Sequence, residues 1–168
     1  MCDQYPKIEN GGLVFLNFGS GFSGVSQLIY NKGNKVINVD PSSMWQIEDL
    51  QAVNLSDISE LKESVDIFYA SHSLEHVPNV DLVIHQVNRF LKQDGILFIE
   101  VPNAEFNGNG GGYGLICEPH TYYFKNKYFE NLNFKGILNP RISGQSLEQL
   151  PKQYTNNQVI WYIGQKGV

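Results

Sequence analysis

The sequence predicts an α/β protein with a mostly parallel sheet of seven strands. Short apolar runs alternate with segments of helical hydrophobic spacing through residues 13–101, and a glycine-rich turn joins the first run to the first helical segment. Unbroken apolar runs are typical of parallel strands buried on both faces, and the helices that connect such strands cover the sheet. We therefore expect a doubly wound α/β/α sandwich that ends in an antiparallel hairpin.

The strands are predicted from apolar runs that are bounded by turn-forming residues. The run LVFLNF lies between glycines, and KVINV ends at Asp40-Pro41, where the proline prevents further central pairing. The last two runs lack a long helix between them, which indicates an antiparallel pair. The predicted strands are residues 13–18, 35–39, 52–55, 65–70 and 96–101, followed by 134–138 and 158–163.

Two helices are predicted from apolar residues at helical spacing. Val25, Leu28 and Ile29 follow the glycine-rich turn, and the same periodicity runs through residues 80–91, where we expect Gly95 to cap the helix. Weaker patterns predict short helices at residues 45–50 and 128–132.

Length and composition predict one domain over residues 1–168, with a short N-terminal segment at 1–12 and a mobile loop at 103–120. The net charge of -5 argues against nucleic acid as a partner, because binding to phosphates depends on clustered Lys and Arg. No run is long and apolar enough to suggest a membrane partner. Cys2 and Cys117 lie far apart, so we expect free thiols and a cytoplasmic location.

A glycine pattern and an acidic residue predict a nucleotide-like ligand. Gly19, Gly21 and Gly24 satisfy GxGxxG between a predicted strand and a helix, the context in which glycines allow close approach of the backbone to a ligand. Asp40 ends the next strand about 20 residues later, where a carboxylate can bind both ribose hydroxyls. The pattern suits NAD and S-adenosylmethionine equally. A ligand-free glycine turn and an Asp-Pro turn at Pro41 are the plainer readings.

Three stretches resemble class I S-adenosylmethionine-dependent methyltransferases in content and order. They are LVFLNFGSGFSG, VINVDP and VDIFYASHSLEHVPNVDLVIHQVNRFLKQDGILFIEVPN, which together extend from Leu13 to Asn103. Farther on, EPH at residues 118–120 and YYF at 122–124 are similar to a branch in which a His-aromatic motif precedes the last helix. The resemblance implies S-adenosylmethionine as cofactor and S-adenosylhomocysteine as product.

The resemblance also implies which residues hold the cofactor. The glycine turn would wrap the methionine end, and Asp40 would bind the ribose. Asn54 stands where the family usually has an acid near the adenine, so Asp57 is a substitute for that acid. The implied cofactor-binding residues are Phe18, Gly19, Ser20, Gly21, Gly24, Asp40, Pro41, Ser42, Asn54, Leu55, Asp57, Ser71 and His72.

The expected reaction is methyl transfer to a small molecule or a sugar, with O-methylation favoured by the histidines. His120, His76 and His72 are the candidate bases, and His120 is favoured because it follows the glycine-rich loop. His72 and His76 are spaced i, i+4 and His85 is nearby, which could suggest a metal site. No metal is expected, because His85 lies on a different predicted turn and Pro78 interrupts the helix. Tyr122, Tyr123 and Phe124 suit core packing and a substrate wall equally well.

Two other functions stay open at this point. The short segment before the first strand leaves the expected acceptor cover incomplete, so the site would either be open or be completed by a homo-oligomer or a partner chain. A catalytically silent protein that binds S-adenosylmethionine or S-adenosylhomocysteine, or a scaffold, is one alternative. An NAD-dependent oxidoreductase is the other, but it fits the predicted terminal hairpin poorly.

Overall fold

The computed structural model describes residues 6–21, 24–41, 50, 52–105, 120–142 and 159–167. Over these residues the chain forms a mixed sheet of seven strands in the order β3-β2-β1-β4-β5-β7-β6. The strands are β1 (Val14–Phe18), β2 (Lys35–Val39), β3 (Ala52–Val53), β4 (Val65–Ser71), β5 (Leu91–Pro102), β6 (Lys135–Ile142) and β7 (Val159–Gln165). The helices are α1 (Gly24–Tyr30), α2 (Val80–Phe90) and α3 (Asn126–Glu130), with short 3-10 turns at Pro6–Asn10, Leu55–Ile58 and Leu74–His76.

The predicted fold class is confirmed. Strands β1 to β5 pair in parallel, while β7 runs antiparallel to both β5 and β6. The hairpin at the end of the chain is therefore present, with β7 inserted between β5 and the edge strand β6. The predicted third strand is shorter than expected, because Leu55 already belongs to a 3-10 turn.

The sheet has a hydrophobic core on each face. Successive residues of a strand point to opposite faces, so Phe15 and Leu16 belong to different apolar clusters. Leu16 packs in the larger cluster, to which α2 contributes Val87 and α3 contributes Phe129. Phe15 packs on the other face with Ile29 of α1. This arrangement is the three-layer sandwich that the sequence predicts.

Helix α1 forms where predicted but buries only one of the three apolar residues that predicted it. Leu28 is 55% exposed and Val25 is 37% exposed, whereas Ser26 and Ile29 are buried. The apolar spacing therefore located the helix correctly but misidentified part of its inner face.

A buried hydrogen-bond network explains why a serine replaces an apolar residue on that inner face. Asn17 of β1 donates its side-chain amide to the Ser26 hydroxyl at 2.8 Å, and that hydroxyl donates to Asn38 of β2 at 2.5 Å. Asn38 in turn donates to the Leu50 carbonyl at 2.8 Å. Because all three side chains are buried, each needs such a partner to avoid a desolvation cost. The network joins α1 to the two strands beneath it.

The prediction that Gly95 caps the second helix is wrong. The helix ends at Phe90, Leu91 is already extended, and Gly95 lies inside β5. The pairing of β4 with β5 shifts register between Val65 and Ile67, which leaves an irregular stretch on β5. A Cβ at Gly95 would lie 2.9 Å from the Lys92 carbonyl oxygen, so the glycine permits the tight bend there.

Several expectations fall on residues outside the described part of the chain. These are the helix near residue 45, most of the loop predicted at 103–120, and both cysteines. The first residue of that loop is described, and Asn103 is buried and bridged to Phe124. Among the described helices, none combines the length and apolar character needed to cross a membrane.

The two neighbours Leu28 and Ile29 provide a direct test of the inner face of α1. Ile29→Ala is expected to lower the free energy of unfolding by about 2–5 kcal/mol, because it leaves a cavity in a packed core. Leu28→Ala is expected to cost less than about 1 kcal/mol, because the side chain is mainly exposed. Urea denaturation measures both, and equal losses would contradict the assignment.

Candidate functional site

A cavity of about 590 Å³ lies at the carboxyl ends of β1 and β2. Such edges are where ligands bind in open α/β sheets, and the volume is within the usual range for small-molecule sites. The predicted cofactor residues that line it are Phe18, Gly19, Gly21, Asp40, Pro41, Asn54, Leu55 and His72. Of the others, Ser20, Gly24, Asp57 and Ser71 are not part of its lining, and Ser42 is outside the described residues.

The glycine turn and the acidic residue of β2 meet at this cavity. The Gly21 amide donates to the Asp40 carboxylate, with 2.9 Å between nitrogen and Oδ2, and the Gly19 amide donates to the Val39 carbonyl at 2.7 Å. The φ angles of Gly19 and Gly21 are +70° and +48°, values that favour glycine. The glycine turn and the end of β2 therefore converge on one crevice.

The two glycines differ in their surroundings. A Cβ at Gly19 would lie 2.3 Å from the Cβ of Ser73, so the turn is pressed against the chain that follows β4. Apart from its chain neighbours, a Cβ at Gly21 would meet no atom of the described residues within 4 Å. Gly19 is therefore required for packing, whereas Gly21 leaves room beside the cavity.

The carboxylate of Asp57 is used locally. Its Oδ2 accepts a hydrogen bond from the Asn54 amide at 2.9 Å and so caps the 3-10 turn at Leu55–Ile58. This arrangement follows from the Asn-x-x-Asp spacing, which is a local capping pattern.

His72 lies between two carboxylates at the end of β4. Its Nδ1 is 3.5 Å from Glu75 Oε1, and its Nε2 is 3.5 Å from Glu100 Oε1. The hydrogen bond to Glu75 raises the pKa of His72, and the negative charge of Glu100 raises it further. Burial of the ring partly offsets this increase in the pKa, because it disfavours the charged imidazolium. Glu100 also accepts a hydrogen bond from the Ser71 hydroxyl at 2.7 Å, so Ser71 supports this group. The backbone φ of His72 is +49°, an unusual value for a residue with a side chain.

His120 is brought to His76 by the backbone of Glu75. The Glu75 carbonyl accepts hydrogen bonds from the amides of Thr121 at 2.7 Å and Tyr122 at 3.1 Å. The rings of His76 and His120 then lie 4.8 Å apart between centroids. His76 is part of the lining of the cavity, and His120 is not. His72, His76 and His120 thus lie near one another around Glu75, and their catalytic role stays a prediction.

The aromatic residues after His120 divide between the two alternatives left open by the sequence. Phe124 is buried in the larger core, and Tyr122 donates its hydroxyl to the Pro78 carbonyl at 3.1 Å. Tyr123 is 47% exposed, and its ring centroid lies 6.2 Å from that of His120. Core packing therefore explains the position of Phe124. Of these three aromatic residues, Tyr123 is the one whose exposed ring can form a substrate wall near the histidines.

A family model described as a methyltransferase domain matches residues 3–155, most of the chain. The chain belongs to this family. The match confirms the resemblance to S-adenosylmethionine-dependent methyltransferases, while the branch with a His-aromatic motif stays a prediction.

Curated relatives of this methyltransferase domain are longer proteins. The C-methyltransferase NovU of Streptomyces niveus is 23% identical over 74% of this chain, which corresponds to 32% of that protein. A ubiquinone biosynthesis O-methyltransferase of Agrobacterium fabrum is 28% identical over 61% of this chain and 48% of that protein. The chain thus spans about a third of one of these relatives and about half of the other.

Solved structures share the fold of this methyltransferase domain. A SAM-dependent methyltransferase from Archaeoglobus fulgidus superposes with a TM-score of 0.70 at 17% identity, covering 98% of this chain and 91% of that chain. One from Mesorhizobium loti has a TM-score of 0.68 at 13% identity and covers 97% of both chains. At these identities the likeness establishes the architecture alone.

The family and the fold imply binding of S-adenosylmethionine, and the residues at the cavity fit it. Asp40 offers a carboxylate for ribose hydroxyls, and the space beside Gly21 admits close approach of a ligand to the backbone. Phe18 and Leu55 add apolar surface to the lining, which suits a purine ring.

The sequence analysis missed the part of the cavity wall that lies between β4 and α2. Val77, Pro78 and Asn79 line it, followed by Leu82 and Val83 from the first turn of α2. The LEHVPN stretch at residues 74–79 supplies the first three of these residues, but its position over the cavity depends on how α2 packs.

The contrast between the two glycines predicts different effects of the same substitution. Gly19→Ala is expected to destabilise the fold by about 1–3 kcal/mol more than Gly21→Ala, because only the former adds a clash to the cost of a positive φ. Chemical denaturation measures both. In the double variant Gly19→Ala/Ser73→Gly the additional loss should largely disappear, and its persistence would show that the clash is not the cause.

Proposed function

We propose that this chain transfers the methyl group of S-adenosylmethionine to an oxygen of a small-molecule or sugar acceptor and releases S-adenosylhomocysteine. The observation that supports the proposal most directly is the hydrogen bond between the Gly21 amide and the Asp40 carboxylate, at a cavity that both residues line. One nucleoside can contact both groups at once. Membership of the methyltransferase family favours this cofactor over NAD.

Each side of the cavity has a separate part in holding the cofactor. In this proposal the backbone at Gly19 and Gly21 holds the methionine end, and Asp40 exchanges its hydrogen bond with Gly21 for bonds to the ribose hydroxyls. Pro41, Ser42, Asn54 and Leu55 flank the adenosine. Asn54 offers both a donor and an acceptor to the adenine edge, where the family usually has an acid. Ser71 and Asp57 support neighbouring groups from outside the lining.

The cofactor supplies an electrophilic methyl group on a sulfonium, and the chain must position the acceptor and remove its proton. Correct positioning alone can lower the barrier by about 7–11 kcal/mol. A base must lie within hydrogen-bond reach of the proton that it takes. His72 and His76 line the cavity, whereas His120 contacts it through the ring of His76. The geometry therefore favours the first two over His120.

The type of acceptor atom is the least constrained part of the proposal. The curated relatives carry the names of a C-methyltransferase and an O-methyltransferase, and both reactions need removal of a proton from the acceptor. Histidines around the cavity favour a hydroxyl acceptor. Leu82 lines the cavity and is 52% exposed, so a second copy or a partner chain has apolar surface to cover there.

The role of Asp40 predicts a selective loss of cofactor affinity. Asp40→Asn is expected to weaken S-adenosylhomocysteine binding about 10- to 100-fold, because hydrogen bonds to a charged group contribute about 1.5–3 kcal/mol. Asp57→Asn is the matched control, since that carboxylate caps a turn and does not line the cavity. Isothermal titration calorimetry measures both affinities, and an equal loss in the two variants would contradict the assignment.

The reaction itself is tested by transfer of a labelled methyl group to phenols, sugars and carbon acids. Transfer to a hydroxyl confirms the proposal, and transfer to carbon corrects its acceptor. Cofactor binding without transfer to any acceptor would support the silent binding protein instead. NADH binding in a fluorescence titration, without affinity for S-adenosylhomocysteine, would support the oxidoreductase.

A further inference from the structure

Three potential metal ligands meet beside the proposed cofactor cavity. One ligand atom from each of Glu75, His76 and His120 lies within 4.8 Å of the other two. Glu75 is 1% exposed, and its Oε2 has no hydrogen-bond partner among the described residues. A buried carboxylate oxygen without a partner is costly, so it points to a ligand that satisfies it.

We propose that Glu75, His76 and His120 bind one divalent transition-metal ion of the zinc class. Two imidazoles and one carboxylate form a donor set that suits zinc, and catalytic zinc sites commonly have three protein ligands and one open position. The sequence argument against a metal compared His72, His76 and His85. It could not include this set, because Glu75 and His120 come together only through the fold.

The backbone holds the set together. The Glu75 carbonyl is bonded to the amides of Thr121 and Tyr122, so the segment that carries His120 is attached to the turn that carries Glu75 and His76. A four-coordinate zinc ion needs ligand atoms about 3.3 Å apart, so the atoms must close by at most roughly 1.5 Å. The His76 side chain is 38% exposed and His120 is only partly buried, which leaves both rings room to turn.

The groups around Glu75 contact its two carboxylate oxygens differently. Glu75 Oε1 lies 3.5 Å from His72 Nδ1 and 3.9 Å from His76 Nε2, whereas Oε2 is the atom without a hydrogen bond. Glu100 faces His72 from the other side. His72 can therefore keep Glu75 oriented while the carboxylate binds the ion, an arrangement that commonly supports metal ligands.

The position of the ion gives it a role in acceptor binding. His76 also lines the cofactor cavity, so an ion bound to it would lie at the edge of that cavity. Its open coordination position could hold an acceptor oxygen and make its proton more acidic. This role rests on the proposed function, whereas binding of the ion does not.

The test is titration of the full-length chain with Zn²⁺ alone after removal of metals with a chelator. Both cysteines are changed to serine, because thiols bind zinc independently. We expect one Zn²⁺ per chain, and Co²⁺ in its place should give the intense visible absorption of a low-symmetry nitrogen and oxygen site. Failure to bind either ion would overturn the proposal.

Two ligand variants and one control locate the site. Loss of a supporting partner of a metal ligand typically lowers affinity about 10- to 100-fold, and His120→Ala, which removes a ligand itself, should lower it at least as much. Glu75→Gln should have a similar effect, with circular dichroism as the check on folding. His85→Ala, on the exposed face of α2, should bind Zn²⁺ as before. Equal affinity in His120→Ala and His85→Ala would also overturn the proposal.

Binding of S-adenosylhomocysteine is measured on the same samples. We expect His120→Ala to retain it, because His120 does not line the cavity. Loss of Zn²⁺ binding with retained S-adenosylhomocysteine binding supports the metal site. Zn²⁺ binding in a chain without affinity for S-adenosylhomocysteine would leave the metal site intact and overturn the proposed function.

Discussion

The parallel pairing of β1 with both of its neighbours is the constraint on which the site depends. Phe18 at the end of β1 pairs with Val39 of β2 and with Ala70 of β4. The chain therefore leaves all three strands at the same level, which places Gly19, Asp40 and the residues after β4 around one cavity. A shift of one residue in either pairing would turn the side chains to the other face and separate these groups.

Buried polar groups are treated differently in the two parts of the molecule. Asn17, Ser26 and Asn38 lie between α1 and the sheet, and each finds a hydrogen-bond partner there. Glu75 is equally buried beside the cavity, but one of its carboxylate oxygens has no partner among the described residues. The first group is a structural network that specifies how α1 packs. The Glu75 carboxylate oxygen is instead the kind of group that a binding site is expected to contain before its ligand arrives.

Local patterns predicted the elements well where sequence and packing agree. The β2 range matches the apolar run, and Ile29 is buried as its spacing indicates. The failures occur where packing decides. Leu28 is exposed because Ser26 occupies the inner face of a short helix, and Gly95 lies in a strand because β5 begins directly after Phe90. Neither outcome can be read from hydrophobic periodicity, which reports the period of a pattern but not the surface it meets.

The amino-acid sequence by itself determined the family, the order of strands and helices, and the pairing of a glycine turn with an acidic strand end. Each of these features depends either on residues that are close together in the sequence or on the order of motifs along the chain. The tertiary structure decided which side chains meet: Phe124 enters the core, Glu100 faces His72, and His120 lies against His76 beside Glu75. The physical reason is that such contacts join segments far apart in the chain, and their geometry is set by sheet register and helix packing rather than by local residue pattern.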